Sequence, residues 1–328
     1  MKSVHSGSIS IAEIINDPFN FTYNEICGVI GESGAKSIYS LLYKKDFVKK
    51  ARSIWIKEIV KDAQANKYIF ELSDNKHIET VSIKRRTGVS ACVSVQVGCP
   101  CKCIFCESGK NGLIRNLSAS EIVQQVIYLK ERVNRIVFMG IGEPLFNYEA
   151  LIKSIHILRD RNGLDFPTDG ITISTIGTIK TLKKIREEHI KIQLTLSLHA
   201  ATQKVRDYLM PATRGNDINE TVKAALSYSK RHNRKLVVAY LLLRGINDSA
   251  LDIKKLVEWF KDENAMINLL DYNKTSGALA SVDKKRLEYF KNSLLDYGVE
   301  AKIRSSRGRN INAACGQLAS IYNKTKDG

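Results

Sequence analysis

Cys99, Cys103 and Cys106 stand in Cys-x-x-x-Cys-x-x-Cys spacing within the run Val97-Gly98-Cys99-Pro100-Cys101-Lys102-Cys103-Ile104-Phe105-Cys106. Three thiolates on one tight loop can hold three irons of a cubane cluster and leave the fourth iron open to a chelating cofactor. Zinc is the plainer alternative, but structural zinc sites close with four ligands arranged in two pairs, and the chain offers no second pair. Cys101 lies inside the same loop and permits other ligand triads; it is read as a spectator or a redox liability. The chain has seven cysteines, an odd number that argues for metal or catalytic chemistry over a structural disulfide framework. Cys27 is read as a small core residue on a helix.

A loop of this kind needs a scaffold, and the apolar pattern supplies one. Short apolar runs at Cys92–Val97, Arg135–Met139, Ile171–Thr175, Gln193–Leu198, Leu236–Leu242 and Ile267–Tyr272 alternate with amphipathic helical stretches. Ser118-Ala119-Ser120-Glu121 carries the Ser-x-x-Glu pattern that opens a helix. Such alternation predicts an α/β fold with a parallel sheet, and six units fit a partial (β/α)6 barrel whose chemistry lies in the loops after the strands. The distinctive residues do fall there: Gly98-Cys99, Gly140-Ile141-Gly142-Glu143-Pro144, Ile176-Gly177, His199 and Asn273.

Upstream, apolar residues recur at helical spacing from Ile11 to about Trp55, as at Ile38, Leu41, Leu42 and Val48, with Gly31-Glu32-Ser33-Gly34 as punctuation. Lys36, Lys44, Lys45, Lys49, Lys50 and Arg52 would give this module a basic face. Tyr68–Leu72 and Ile78–Ile83 read as an antiparallel pair joined by a turn at Ser73-Asp74-Asn75-Lys76. The expected organisation is a small N-terminal helical domain over 1–66, a connecting hairpin over 67–91 and the barrel with a C-terminal segment over 92–328.

The 328 residues carry 51 Lys and Arg against 34 Asp and Glu, a formal net charge of +17. That excess points to a polyanionic partner or an anionic membrane surface, nucleic acid first. At 44% hydrophobic and 26% charged, the composition excludes a disordered chain, a collagen-like chain and a coiled-coil rod. No apolar run is long enough to span a bilayer, and Met1-Lys2-Ser3-Val4-His5-Ser6 leads into no apolar stretch, so a cytoplasmic protein is expected. Candidate phosphate-binding patches are Lys84-Arg85-Arg86, Lys230–Lys235, Lys284-Lys285-Arg286 and Lys302–Arg309.

Phe105 immediately before the last loop cysteine makes the loop resemble the radical S-adenosylmethionine superfamily. With its flanks the likeness sharpens. Cys92 through Cys99, Arg115-Asn116-Leu117, Phe138 through Leu145, Ser197-Leu198-His199 and Ala313-Ala314-Cys315-Gly316-Gln317-Leu318 together resemble the RlmN/Cfr family of radical rRNA adenine methyltransferases, in family order from about Glu79 to Leu318.

The resemblance implies a radical S-adenosylmethionine partial barrel holding a 4Fe-4S cluster on Cys99, Cys103 and Cys106, with two S-adenosylmethionine molecules consumed per turnover. An unactivated adenine ring carbon is a poor nucleophile, so the family passes the methyl group through a protein thiol. Cys315 matches the methylated cysteine, Cys92 the resolving thiol that releases the product through a disulfide, and Glu79 the proton acceptor. Gly142 and Glu143 match the segment facing the cofactor's methionine ammonium, while Ser174, Ser197, Leu198, His199 and Asn273 match its other contacts. Taken singly, Glu79 would be a surface residue, and His199 and Cys315 packed core residues. Expected partners are 23S rRNA, with tRNA as a further candidate, and a low-potential electron donor such as flavodoxin or ferredoxin, the enzyme acting as a monomer.

The family divides by product. Gln96-Val97-Gly98, Glu143-Pro144-Leu145 and Gln317-Leu318-Ala319 are closer to the carbon-2 enzymes, whereas Ser174-Thr175-Ile176-Gly177 and Ile303-Arg304-Ser305 are closer to the carbon-8, antibiotic-resistance type. Carbon 2 is favoured slightly. The remaining alternatives are an RNA-binding protein with a purely structural metal, and a ferredoxin-type electron carrier, which would want four cysteines per cluster.

Overall fold

A computed structural model describes residues 9–42, 52–275 and 279–319. The expected start of the chain, Val48 and the basic residues Lys44, Lys45, Lys49 and Lys50 lie outside the described residues.

One ten-stranded sheet organises the chain, in the order β1-β2-β3-β4-β7-β8-β9-β10-β11-β12. Its first part is antiparallel: β1 (Ile54–Lys61), β2 (Ala65–Leu72), β3 (His77–Arg85) and β4 (Gly88–Cys92). From β4 onward every pairing is parallel, through β7 (Val133–Phe138), β8 (Ile171–Thr175), β9 (Gln193–Ser197), β10 (Leu236–Leu242), β11 (Ala265–Asp271) and β12 (Ala301–Arg304). Helical crossovers join the parallel strands, as the alternation requires. They include α3 (Ala119–Ile127), α4 (Tyr148–Arg159), α5 (Ile179–Arg186), α6 (Gln203–Leu209), α7 (Ile218–His232), α8 (Ala250–Phe260) and α9 (Lys284–Asp296). Their inward faces and the sheet form a continuous apolar core running from Ile14 to Ala301.

The Ser118 capping box forms as expected: its hydroxyl accepts from the Glu121 amide at 3.1 Å and the Glu121 carboxylate accepts from the Ser118 amide at 2.8 Å. The β2–β3 pair closes through Leu72 N–H donating to Lys76 O at 2.8 Å. Upstream, α1 (Ile11–Asn16) and α2 (Tyr23–Leu42) pack on the core through Ile14, Ile26, Tyr39 and Leu42, and α2 is kinked at Gly31, where φ is 76°.

Three elements differ from the sequence pattern. The run Cys92–Val97 is buried but leaves the sheet at Cys92; Val93 N–H donates to Val137 O and Val95 N–H to Ile141 O, and Gln96–Gly98 pairs instead with β6 (Leu113–Asn116) as β5 of a separate two-stranded sheet. Burial without a ladder is invisible to apolar periodicity. Residues 54–61, assigned to the helical module, form β1; a register shift between Ile56 and Glu58 breaks the alternation that would have marked a strand. Finally, β12 adds a parallel strand beyond the six expected, its Ala-Lys-Ile-Arg sequence too short and charged to register as one.

Candidate active site

The cysteine loop hangs from the carboxyl end of β5. Gly98 has φ of 75°, and a Cβ there would meet Gly112 O at 2.1 Å, so only glycine lets the loop turn against its neighbour. Cys99 N–H donates to Gly112 O at 2.9 Å, Cys106 N–H to Cys103 O at 3.0 Å and Ile104 N–H to Leu209 O at 3.1 Å. Cys101 donates its thiol hydrogen bond to Cys99, which holds Cys99 below the usual thiol range and pushes Cys101 far up. Burial, then the charges of Cys106 and Cys99, raise Cys103; burial raises Cys106.

Cys99 and Cys101 are buried and Cys103 and Cys106 half-buried, and thiols clustered in this way, which repel one another once ionised, make a site for a positively charged metal centre. Among the described residues no three His, Cys, Asp or Glu side chains converge as a single ion would require. An iron–sulfur cubane spreads its thiolates over separate irons, so Cys99, Cys103 and Cys106 fit that group.

Beside the loop lies Glu143. Its Oε1 accepts from Thr175 Oγ1 at 2.5 Å and Leu145 N–H at 3.1 Å, and its Oε2 from Ile176 N–H at 2.9 Å. Burial still lifts its carboxyl to about 7, because no cation is among these partners. An uncompensated buried carboxylate of this kind suits an ammonium guest, which fits the methionine end of S-adenosylmethionine. Gly142, at φ 105°, brings the backbone against Gln96, whose Oε1 accepts from Glu143 N–H at 2.9 Å.

The other expected contacts gather on the adjoining strand ends. Ser174 Oγ and Ser197 Oγ lie 3.2 Å apart. His199 adopts φ of 55°, its Nδ1 accepts from Leu241 N–H at 3.0 Å, and its ring meets Phe105 edge-on at 5.0 Å. Burial lowers its pKa to about 3, so the ring is neutral and Nε2 carries the proton. Leu198 is core: its amide donates to Ala239 O and its carbonyl accepts from Arg206. Asn273 is engaged with the C-terminal segment, its Nδ2 donating to Cys315 O at 3.0 Å and its Oδ1 accepting from Arg309 Nε at 2.7 Å.

Those bonds help bring Cys315 to the cysteine loop. Glu107 N–H donates to Gly316 O at 2.8 Å and Ser108 Oγ to Leu318 O at 2.5 Å, so the segment after Cys315 is stitched to the residues just past Cys106. Cys315 is exposed. Cys92, at the end of β4, is buried close enough to feel the Cys315 charge; burial first and that charge second push its thiol up to about 12. Glu79 on β3 is buried with Oε2 lacking a hydrogen-bond partner among the described residues, and Lys67 Nζ stands 3.9 Å from Oε1. Burial outweighs Lys67 and the Ala319 amide, raising its carboxyl to about 7. All seven cysteines are free, so the disulfide expected between Cys92 and Cys315 is not held in this structure: each is a thiol in its own setting, one buried and one exposed.

Sequence reasoning passed over Arg206. Fully buried, it donates to the carbonyls of Ile176, Ser197 and Leu198, tying the ends of β8 and β9 together beneath the cysteine loop. Thr175, which holds Glu143, was also passed over. Neither lies in a spacing pattern that marks chemistry.

Comparison with known proteins bears on this arrangement. Residues 93–258 match the radical SAM superfamily. A Rhodopseudomonas palustris protein named "Probable RNA methyltransferase" is 50% identical over 256 residues, covering 78% of this chain and 71% of that one. A Dictyoglomus turgidum protein named "Probable dual-specificity RNA methyltransferase RlmN" is 35% identical over 344 residues, covering 95% of this chain and 99% of that one. The chain belongs to the RlmN/Cfr family of radical S-adenosylmethionine RNA methyltransferases. A crystal structure of a radical SAM methyltransferase from Sphaerobacter thermophilus superposes on this family member with a TM-score of 0.86 at 30% identity, covering 93% of this chain and 99% of that one. Among the described residues no helix is long and apolar enough to cross a membrane.

Proposed function

We propose that this enzyme methylates a ring carbon of an adenosine in 23S rRNA, carbon 2 in preference to carbon 8, with Cys315 as the methyl carrier. The observation that carries the reading is the stitching of the exposed Cys315 segment onto the cysteine loop beside buried Cys92. When bound, the cluster and S-adenosylmethionine, two molecules per turnover, would supply the methyl group and a hydrogen-abstracting radical. Cys99, Cys103 and Cys106 would hold the cluster. Gly142, Glu143, Ser174, Ser197 and His199 would hold the cofactor, with Leu198 and Asn273 supporting that platform through the backbone of the former and the side chain of the latter.

The remaining roles are those the family resemblance implies, and the burial of Glu79 and Cys92 supports them. Cys315 carries the methyl group to the base. Glu79, raised to about 7 and with one oxygen unpartnered among the described residues, takes the ring proton. The Cys92 thiolate then attacks the Cys315 sulfur: a Cys92–Cys315 disulfide forms, the bond from that sulfur to the methylene on the base breaks with its electron pair going to the carbon, and a proton taken up there completes the methyl group of the freed base. The relatives' names support an RNA substrate, and the word "dual-specificity" in several of them supports more than one, for which tRNA is the candidate carried over from the family resemblance. A monomer in the cytoplasm, reduced by flavodoxin or ferredoxin, completes the reading, with residues 1–66 as an RNA-binding module, 67–91 as the connecting hairpin and 92–328 as the catalytic unit.

Digestion of treated 23S rRNA to nucleosides and mass analysis against 2-methyladenosine and 8-methyladenosine standards tests this. The carbon-2 isomer is expected. The carbon-8 isomer would reassign the enzyme to the Cfr type, and unmodified adenosine with a loaded enzyme would overturn the rRNA substrate.

A further inference from the structure

The fold sorts the basic residues. The arginines that pair with carboxylates among the described residues are Arg115, Arg186, Arg231, Arg234, Arg286 and Arg309. The Lys230–Lys235 patch is neutralised almost completely: Lys230 pairs with Glu263, Arg231 with Glu187, Arg234 with Asp169 and Lys235 with Glu300.

Two patches far apart in the chain are instead joined. The Arg307 guanidinium donates to Lys84 O, docking Lys302–Arg309 on Lys84-Arg85-Arg86. Arg85 Nε donates to Ser90 Oγ at 2.7 Å, and Ser90 pairs in register with Arg135 on β7. Arg304 Nη1 reaches Met139 Sδ at 3.6 Å, just past the end of β7. Arg85, Arg135, Arg304 and Arg307 thus converge, and none of them has an Asp or Glu partner among the described residues. Their mutual repulsion is felt: burial, then Arg304, Arg307 and Arg135, lower the Arg85 pKa.

Strand alternation fixes where this cluster faces. Val81, Ile83 and Arg85 share one face of β3, Ser90 and Cys92 the matching face of β4, and Arg135 and Val137 that of β7. Cys92 and Val137 pack there with Ala313, two residues before Cys315. Arg135 lies two residues along the strand from the position opposite Cys92, about 7 Å at the usual rise.

We infer that Arg85, Arg135, Arg304 and Arg307 form a phosphate clamp on the RNA strand, holding the backbone beside the nucleotide presented to Cys92 and Cys315. Unpaired guanidiniums match phosphate by fork geometry and lasting charge. A repelling cluster gains doubly from the anion, which replaces repulsion by attraction. The inference rests on the RNA-methyltransferase reading and adds which of the basic patches meets the substrate.

The test uses the full-length, cluster-loaded enzyme and single-stranded poly(A) as a sequence-neutral phosphate probe, titrated at several salt concentrations. Arg85→Gln/Arg307→Gln is expected to weaken binding about tenfold or more at moderate salt and to reduce the slope of log affinity against log salt by roughly one unit per lost contact. Arg135→Gln, which removes no hydrogen bond among the described residues, should lower the slope by about one alone, so the clamp stays testable if the double variant folds poorly. Lys230→Gln/Arg231→Gln should bind like the parent. Parent-like affinity and slope in Arg135→Gln, or a larger loss in the Lys230/Arg231 variant, overturns the clamp. Methylation of a 23S rRNA transcript by the parent, measured separately, reports on the substrate reading whichever way the clamp falls.

Discussion

A carboxyl group lifted by burial changes both stability and reactivity with pH, and Glu79 shows the two together. Its folded pKa of about 7 lies above the ordinary 4.5, so between those values the folded protein binds more protons at this site than the unfolded chain. Stability from this group is therefore greatest below 4.5, falls as pH rises, and levels off above about 7, a loss on the order of 3 kcal/mol. Glu79→Gln should flatten that slope in denaturant titrations run from pH 5 upward, while abolishing the acid limb near 7 in the rate profile; equal slopes in parent and variant would contradict the assignment. Cys92 offers a second check. Because the Cys315 charge contributes to its elevation to about 12, Cys315→Ala should lower the Cys92 titration midpoint, read by thiolate ultraviolet absorbance, yet leave it above the ordinary thiol value since burial is the larger cause. Of these residues, Cys99, Cys103 and Cys106 were legible from spacing alone, whereas Glu79, Cys92 and Cys315 were legible only through the family motif. Arg206 and Thr175 act through contacts distant in sequence, which leave no local signature.

At the scale of elements, the site depends on how strand ends are tied. Arg206 is the tie between β8 and β9, and Arg206→Met would leave buried carbonyls at Ile176 and Leu198 without their donor. A loss of about 3 kcal/mol is expected in urea unfolding, with weakened cofactor binding as the platform loosens. Gly142→Ala would place a Cβ 2.7 Å from that of Gln96 at φ 105°, and should cost about 1–3 kcal/mol while displacing Glu143. An unchanged urea midpoint in either variant would show that these ties carry no strain. Strands β8 and β10 stand where their apolar runs fall, and β7, β9 and β11 differ only at their ends, because β10 is an unbroken apolar run and the others carry short runs or alternations of Ile, Leu and Val between helical stretches. The misses have separate causes. A bulge interrupts β1, charged residues occupy β12, and the segment after Cys92 is buried by packing against the Gly140–Ile141 turn without joining the sheet.

For the whole molecule, the net charge of +17 pointed to a polyanion but left its place open. Folding pairs most of one basic patch with carboxylates and concentrates arginines that have no carboxylate partner among the described residues on the face shared with Cys92. If about six phosphates are engaged, RNA affinity should fall roughly a thousandfold between low and moderate salt. A flat salt response would contradict the RNA account of that charge. The most direct test of the central claim, however, concerns one sulfur atom. Protein purified without oxygen, with its cluster intact and exposed to S-adenosylmethionine, should yield by peptide mass spectrometry a Cys315 peptide heavier by one methyl group, with the other six cysteines unmodified. An unmethylated Cys315 in such a sample would contradict the role proposed for it as the carrier of the methyl group.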